Sequence, residues 1–179
     1  MLKKDNRYNV LRIFFENPIP KGDGFQLREI SRKTDLAPKS VKSYLEEFEN
    51  EELIIKKKHR IHNYPVYYAN RDYEYFKFLK ILDTLKIIIE SGLLNYLKDK
   101  CMPDVIILFG SAALGEDLIN SDVDIFMLCK EKKLDLEEYE SKLSRKINLF
   151  FSEKFSKLSN ELKNNIINGI KLYGYLKIF

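Results

Sequence analysis

Two short segments near the middle of the chain constrain its fold more than any other feature. The first is an uninterrupted apolar run, Ile106–Phe109, that ends in Gly110-Ser111. The second is Ser121-Asp122-Val123-Asp124, which is followed by a further apolar run to Leu128. A short apolar run bounded by a turn signal indicates a buried strand, and a glycine at its end allows the backbone to bend and to approach a ligand closely. The residues after Gly110 favour a helix start, whose free N–H groups would face an anion such as phosphate.

The second segment brings two negative charges to the same region. Asp122 and Asp124 are two residues apart, so on a strand both carboxylates leave one face while Val123 and Ile125 enter the core. Magnesium is usually held by one or two protein carboxylates together with substrate phosphates, and a second metal would bracket a transferring phosphoryl group. Each segment alone is common, but their combination at this spacing indicates a site for phosphate and a divalent metal.

These residues resemble a known family. Leu108–Leu128 is similar to the minimal nucleotidyltransferase family, within the polymerase-beta-like superfamily, whose pattern is Gly-Ser, a helix turn, a loop and Ser-Asp-x-Asp. Residues 164–174 resemble the closing helix and final strand of that family, so the resemblance covers about Pro103–Gly174. It implies that Asp122 and Asp124 ligate Mg²⁺. It further implies that a nucleoside triphosphate is held by Ser111 and the Gly110–Ala112 backbone, with Ser121 as a further phosphate-binding residue.

The sequence departs from the family pattern at two positions. The family places a third carboxylate on a later strand, and the matching residue here is Asn148. An amide carries no negative charge and cannot accept a proton at neutral pH. The family also often has an arginine shortly after Gly-Ser, where this chain has Leu114. The sequence therefore leaves two alternatives open: transfer of a nucleotidyl group to an unidentified hydroxyl with Asp122, Asp124 and Asn148 at the catalytic site, or a domain without catalysis that senses a nucleotide or binds a protein.

The first seventy residues have the pattern of a winged helix-turn-helix. Apolar residues at helical spacing predict helices over 8–16 and 28–34, and Pro38 is expected at the first position of a third helix. A hairpin with a basic tip is predicted to follow. The N-terminal residues of the second helix of such a motif reach base edges and phosphates in the major groove. The predicted DNA-binding residues are Lys39, Ser40, Lys42 and Ser43 on this helix, and Lys56, Lys57, Lys58 and Arg60 on the hairpin.

The charge distribution favours DNA binding only modestly. The net charge is +4, and all of the excess lies in residues 1–70, with 14 basic and 10 acidic residues, against 17 of each in 71–179. The five glutamates between Glu46 and Glu52 argue against a deep groove fit of the whole third helix. The alternatives are a protein-interaction module and a solvated lysine run without a nucleic-acid partner.

The predicted organisation is therefore an α+β or α/β protein with a winged-helix domain at 1–70, a linking helical segment at 71–102 and a small mixed-sheet nucleotidyltransferase domain at 103–179. The linking helix has a break near Ser91-Gly92 and a wide apolar face. That face either packs between the domains or pairs with its own copy in a homodimer. A small protein partner of antitoxin type remains a further alternative, because the resembled family includes such modules.

The composition bears on the cellular location of the protein and on whether it contains a zinc site. No segment has the length of uncharged apolar sequence that a membrane span needs, and residues 1–6 lack the features of a secretory signal. Cys101 and Cys129 have no partner at metal-ligand spacing, so both are expected to be reduced thiols of a cytoplasmic protein. His59 and His62 lack a third ligand in sequence, which disfavours a zinc site.

Overall fold

The computed structural model describes residues 5–19 and 24–178. The chain divides into two compact units, Met1–Leu79 and Lys80–Phe179, and the division falls inside one long helix. Each unit has its own apolar core. Among the described residues, no helix is both long enough and apolar enough to span a lipid bilayer.

The N-terminal unit consists of three helices and a two-stranded hairpin. The helices are α1 (Asn6–Glu16), α2 (Leu27–Thr34) and α3 (Pro38–Asn50), and the antiparallel strands are β1 (Ile54–Lys58) and β2 (Pro65–Ala69). Pro38 opens α3 as predicted, because a proline at the first helical position loses no hydrogen bond. The helix α1 begins two residues before the predicted start, where the Asp5 carboxylate accepts from the backbone N–H groups of Arg7 and Tyr8.

A single aromatic and aliphatic core holds this unit together. Phe14, Phe25 and Phe48 are among its fully buried side chains, and the Phe14 and Phe25 rings meet edge to face with centroids 5.4 Å apart. The sequence predicts a turn over 21–24 and a brief strand over Phe25–Leu27. Only Phe25 pairs, in an isolated bridge with Tyr67, and the chain enters α2 at Leu27. The predicted turn at 21–24 lies mostly outside the described residues.

The C-terminal unit contains the last part of α4 (Glu74–Glu90), which is followed by seven further helices and strands and by one final strand. These are α5 (Leu93–Cys101), β3 (Val105–Phe109), α6 (Ser111–Leu114), β4 (Val123–Leu128), α7 (Glu137–Leu143), β5 (Ile147–Ser152) and α8 (Asn160–Ile167), and the last strand is β6 (Ile170–Gly174). A turn of 3-10 helix, Phe155–Lys157, follows β5. The break between α4 and α5 falls at Ser91-Gly92, as predicted.

The four strands form one mixed sheet in the order β5-β4-β3-β6. The strand β3 is antiparallel to both β4 and β6, whereas β4 and β5 are parallel. One face of the sheet packs against apolar residues of α4, α5 and α7, and the other face packs against the 3-10 helix and α8. All five residues of β3 are buried, because this central strand is covered on both faces.

The sequence predicts helices over 134–145 and 156–169, and both are shorter in the structure. The helix predicted over 134–145 forms only over Glu137–Leu143 and ends at Ser144, whose φ of 55° is left-handed. The helix predicted over 156–169 is split, because Leu158 is extended and Ser159 caps a new helix by accepting from the Leu162 N–H.

Candidate nucleotide site

The two aspartates of the Ser-Asp-x-Asp segment lie at the start of β4. Asp124 is the second residue of the strand and pairs with Phe109, the last residue of β3. Asp122 immediately precedes the strand, one residue outside the predicted element, and is exposed. Because β3 and β4 are antiparallel, the end of β3 that carries Gly110 lies beside the start of β4 that carries both carboxylates.

Asn148 joins the two carboxylates from the neighbouring strand. It is the register partner of Asp124 in the parallel pair of β4 and β5. Its Nδ2 donates to Asp122 Oδ2 at 3.0 Å and to Asp124 Oδ1 at 3.2 Å. The sequence predicted that these three residues share a site, and the register of the sheet brings them together.

Gly110 lies where no other residue fits without strain. Its φ of 72° and ψ of −159° belong to a region that is essentially restricted to glycine. A Cβ at this position would lie 2.6 Å from Asp124 Oδ2. The absence of a side chain therefore lets the Asp124 carboxylate lie directly against the Gly110 backbone, and the helix α6 starts at the next residue, Ser111.

The environment of the two aspartates differs. Burial raises the pKa of the Asp124 carboxyl above its usual value, the hydrogen bond from Asn148 opposes this shift, and the nearby charge of Asp122 adds to it. Such a carboxylate is more stable as an anion when a cation replaces the water that burial has removed. The site thus contains a partly desolvated acid and an exposed one, held by one amide.

These features agree with a comparison against known families. Residues 92–176 match the family model described as polymerase beta, nucleotidyltransferase. Residues 92–176 are a nucleotidyltransferase-type domain. Neither the curated proteins nor the solved structures with which the chain was compared give a match.

The nucleotidyltransferase-type domain has residues that fit a magnesium–triphosphate ligand, but with two acids rather than three. Among the described residues, no group of three or more His, Cys, Asp or Glu side chains is arranged to hold a metal. Asp122 and Asp124 would supply carboxylate oxygens, and Asn148 would supply a neutral amide oxygen if its amide rotated. The Gly110-Ser111 turn lies directly against the Asp124 carboxylate, so a phosphate bound at the turn would lie close to a cation held by that carboxylate.

Ser121 and Ser111 differ in how they are engaged. The Ser121 hydroxyl accepts from the Leu118 N–H at 2.8 Å and thereby closes the turn before Asp122. Ser111 is the first residue of α6, whose first N–H groups have no acceptor within the helix. Ser111 is therefore the better placed of the two predicted phosphate-binding serines, whereas Ser121 first stabilises the loop.

A buried charge cluster that the sequence did not predict holds this loop. Asp117 is fully buried, and its Oδ2 forms ion pairs with Arg145 and, at 3.2 Å, with Lys80 Nζ. Lys80 Nζ also donates to the Asp117 backbone carbonyl. The three residues come from α4, from the loop before Asp122 and from the segment before β5. Because the three residues are far apart in sequence, no motif links them. The one available signal is Lys80, a charged residue within the apolar pattern of α4.

A polar cleft of about 500 Å³ adjoins the exposed aspartate. It is lined on one side by the loop that ends at Asp122 and on the other by α7 and the segment at Arg145-Lys146. Lys146 Nζ lies 2.6 Å from Glu140 Oε2, and this hydrogen bond lowers the pKa of the Glu140 carboxyl. The two cations in the cleft wall are thus already paired with carboxylates.

The predicted DNA-binding residues lie on α3, on β1 and, for Arg60, in the turn between β1 and β2. Lys39, Ser40, Lys42 and Ser43 are exposed in the first turns of α3. The hairpin prediction needs a correction, because Lys56, Lys57 and Lys58 lie within β1 and not at the tip, which spans 59–64. Lys56 lies 3.5 Å from Glu49 and Lys42 lies 3.7 Å from Glu46.

The acidic end of α3 is largely engaged within the unit. Arg7 from α1 makes a bidentate contact with the Glu51 carboxylate at 2.5 and 2.7 Å, and its Nε lies 3.3 Å from Glu47 Oε2. Four of the five glutamates that argue against a deep groove fit of the whole helix are therefore partners of neighbouring cations, namely Glu46, Glu47, Glu49 and Glu51.

Proposed function

We propose that this chain is a nucleotide-responsive DNA-binding protein. In this proposal the nucleotidyltransferase-type domain binds a nucleoside triphosphate with Mg²⁺ at Asp122, Asp124 and the Gly110-Ser111 turn. The N-terminal unit binds DNA through α3 and the hairpin. Transfer of a nucleotidyl group is slow or absent, so that binding of the nucleotide is the principal activity of the domain.

The observation that carries the nucleotide part is the contact of Asn148 with both carboxylates. One neutral amide donates to two acids at 3.0 and 3.2 Å, at the point where a cation would be shared between them. The proposal is supported by the position of this pair within residues 92–176, because nucleotidyltransferase domains generally use a triphosphate with Mg²⁺. Bound Mg²⁺ would neutralise charge on the phosphates, and the residues of this chain would bind and orient the triphosphate beside Gly110.

The same contact supports weak catalysis. A nucleotidyl transfer requires the acceptor hydroxyl to lose its proton as its oxygen attacks the α-phosphorus, with pyrophosphate leaving. Asn148 cannot accept that proton, and Asp122 and Asp124 are both occupied as ligands in this proposal. With two carboxylates, the site has less negative charge for a second metal than a site with three.

The DNA-binding part is supported by the arrangement of the N-terminal unit. Its order of three helices and an antiparallel hairpin is that of a winged helix, with α3 as the second helix of the helix-turn-helix pair. Lys39, Lys58 and Arg60 are exposed, and Lys57 Nζ lies 5.4 Å from the Tyr68 ring centroid. We infer that Lys39 and Lys58 contribute more than Lys42 and Lys56, because the latter pair already have carboxylate neighbours.

The nucleotide part is tested by titration with magnesium nucleotides, following heat of binding and pyrophosphate release separately. Wild type should bind a triphosphate saturably with little or no turnover, and Asp122→Asn with Asp124→Asn should abolish binding. Asn148→Asp should raise turnover, because it supplies the third carboxylate. Equal binding in wild type and in the double variant would refute the proposed site.

The DNA part is tested by fluorescence anisotropy with mixed-sequence duplex DNA over a range of salt concentrations. Each phosphate contact contributes about −0.9 to the slope of log K against log salt. Lys39→Gln with Lys58→Gln should reduce the slope by about 2 and weaken binding. The matched control is Lys42→Gln with Lys56→Gln, which removes the same charge from residues that have carboxylate neighbours. An equal effect of the two double variants would refute the assignment of the contacts.

A further inference from the structure

The charges of the C-terminal unit are separated between different parts of its surface. The unit has 15 basic and 15 acidic residues over 80–179, and is therefore neutral overall. Residues 154–178 nevertheless contain five lysines and a single acid, Glu161. This segment covers one face of the sheet through the 3-10 helix, α8 and the chain after β6. A neutral unit thus presents one locally basic surface.

Three of these lysines converge on one cavity of about 450 Å³. Lys154 precedes the 3-10 helix, Lys163 is on α8 and Lys177 follows β6. The remaining lining residues are Phe155, Ser156 and Ile178, so within the part of the chain that the structure describes the lining contains no carboxylate. Across 5–19 and 24–178, none of the three ammonium groups forms an ion pair. Three like charges around one cavity repel each other unless an anion lies between them.

Several other lysines of the unit have side chains engaged by neighbouring groups. Lys80, Lys142 and Lys146 each have a carboxylate within 3.2 Å. Lys132 donates to the Lys100 carbonyl at 2.6 Å, and Lys98 lies 4.7 Å from the Tyr173 ring centroid. The lysines around the cavity differ from these in lacking such neighbours, which leaves their charge available to a ligand.

An exposed aromatic ring adjoins the cavity in sequence. Tyr175 is 74% exposed, whereas the next residue, Leu176, packs into the core cluster beneath α8. Lys177 then returns to the surface at the cavity. Basic side chains that follow a phosphate backbone, together with an exposed aromatic ring on which a base stacks, are the combination used to bind single-stranded nucleic acid.

We propose that Lys154, Lys163, Lys177 and Tyr175 form a binding surface for the phosphodiester backbone of single-stranded nucleic acid. The lysines contact phosphates and Tyr175 stacks with a base. This surface is separate from the carboxylate site, and it lies in a different unit from the DNA-binding residues of α3. It goes beyond the proposed function, because it assigns a second nucleic-acid contact to the nucleotidyltransferase-type domain.

The test uses the full chain and a labelled fifteen-nucleotide oligothymidylate, measured by fluorescence anisotropy at several salt concentrations. Each phosphate contact on a single strand contributes about −0.7 to the salt slope, so Lys154→Gln, Lys163→Gln and Lys177→Gln together should reduce it by about 2. Their affinity at 100 mM salt should fall about tenfold or more. The matched control replaces Lys100, Lys130 and Lys133, three exposed lysines of the same unit, with glutamine and should leave the slope unchanged.

The role of Tyr175 is tested by two further variants. Tyr175→Ala should weaken oligothymidylate binding about fivefold or more, since it removes the stacking ring. Tyr175→Phe keeps the ring and should bind as wild type does. A loss of equal size in both variants would refute stacking.

Several results would overturn the proposal. Equal effects of the cavity variant and the control variant would show only diffuse attraction. A duplex of the same length that binds with the same dependence on the three lysines would refute the preference for single strands. Displacement of the oligonucleotide by 1 mM inorganic phosphate would identify a small-anion site instead. Two further titrations separate failure of this proposal from failure of the proposed function. In the first, the cavity variant is titrated with magnesium nucleotide. In the second, the double variant Lys39→Gln with Lys58→Gln is titrated with oligothymidylate.

Discussion

Replacement of Asp117 by asparagine provides a sharp test of how the carboxylate site is held in place. The Asp117 side chain is fully buried and lies between Lys80, which is 1% exposed, and Arg145, which is 12% exposed. Removing one partner of a buried ion pair typically costs 3–5 kcal/mol, because the remaining charge stays buried without compensation. An asparagine oxygen can still accept hydrogen bonds, so we expect a loss at the lower end, about 3 kcal/mol.

Native-state hydrogen exchange can measure this loss of stability for the C-terminal unit by itself. The amides of β3 and β4 are in the buried sheet of the C-terminal unit, and their exchange reports its opening free energy. A loss of about 3 kcal/mol corresponds to roughly 150-fold faster exchange, since 1.36 kcal/mol is a factor of ten. The matched control is Glu138→Gln, which removes an acid whose pair with Lys142 is 2.5 Å long but is 46% and 70% exposed.

The control should change exchange by less than about fivefold, because exposed ion pairs contribute below about 1 kcal/mol. Lys80→Met should have a smaller effect than Asp117→Asn, because it leaves Asp117 paired with Arg145. An effect of Asp117→Asn below fivefold, or equal to that of Glu138→Gln, would refute the argument that this cluster anchors the loop before Asp122.

Three further predictions concern the site and the two thiols. Gly110→Ala and Gly92→Ala both place a side chain at positive φ, which costs about 1–3 kcal/mol of stability. Only Gly110→Ala brings the new Cβ within 2.6 Å of Asp124. Calorimetry should therefore show loss of magnesium-nucleotide binding in Gly110→Ala alone. Asn148→Asp adds a like charge to two carboxylates, so thermal unfolding without metal should show a loss of about 1–3 kcal/mol that Mg²⁺ reverses, and a variant as stable as wild type without metal would contradict this. Burial, together with the sulfur of Cys101, raises the pKa of the Cys129 thiol from 9.0 to about 11, so the thiol stays protonated at neutral pH. Its reaction with iodoacetamide at pH 8 should therefore be roughly a hundredfold slower than that of an ordinary thiol. The rate should rise with pH until about 11.

The sequence was sufficient to predict the elements that depend on local patterns. The buried strand before Gly110, the helix that Pro38 opens and the break at Ser91-Gly92 all follow from apolar periodicity and from the backbone properties of proline and glycine. The nucleotidyltransferase-type domain was also predictable, because Gly-Ser and Ser-Asp-x-Asp are close in sequence and their spacing reflects one turn between two adjacent strands. That Asn148 shares the site with the two aspartates was implied by the family resemblance, and the parallel register of β4 and β5 places it beside Asp124.

Contacts between residues distant in sequence were decided only by the tertiary structure. Periodicity describes which residues face a core, but it carries no information on which buried charge meets another, as at Lys80, Asp117 and Arg145. The contact between the Cys101 and Cys129 thiols was missed for the same reason, since Cys101 ends α5 whereas Cys129 follows β4, and the two meet only when these elements pack together. The lysine-lined cavity likewise requires the 3-10 helix, α8 and the chain after β6 to meet. Their charges are separated along the sequence, and only packing on the same sheet face brings them around one space.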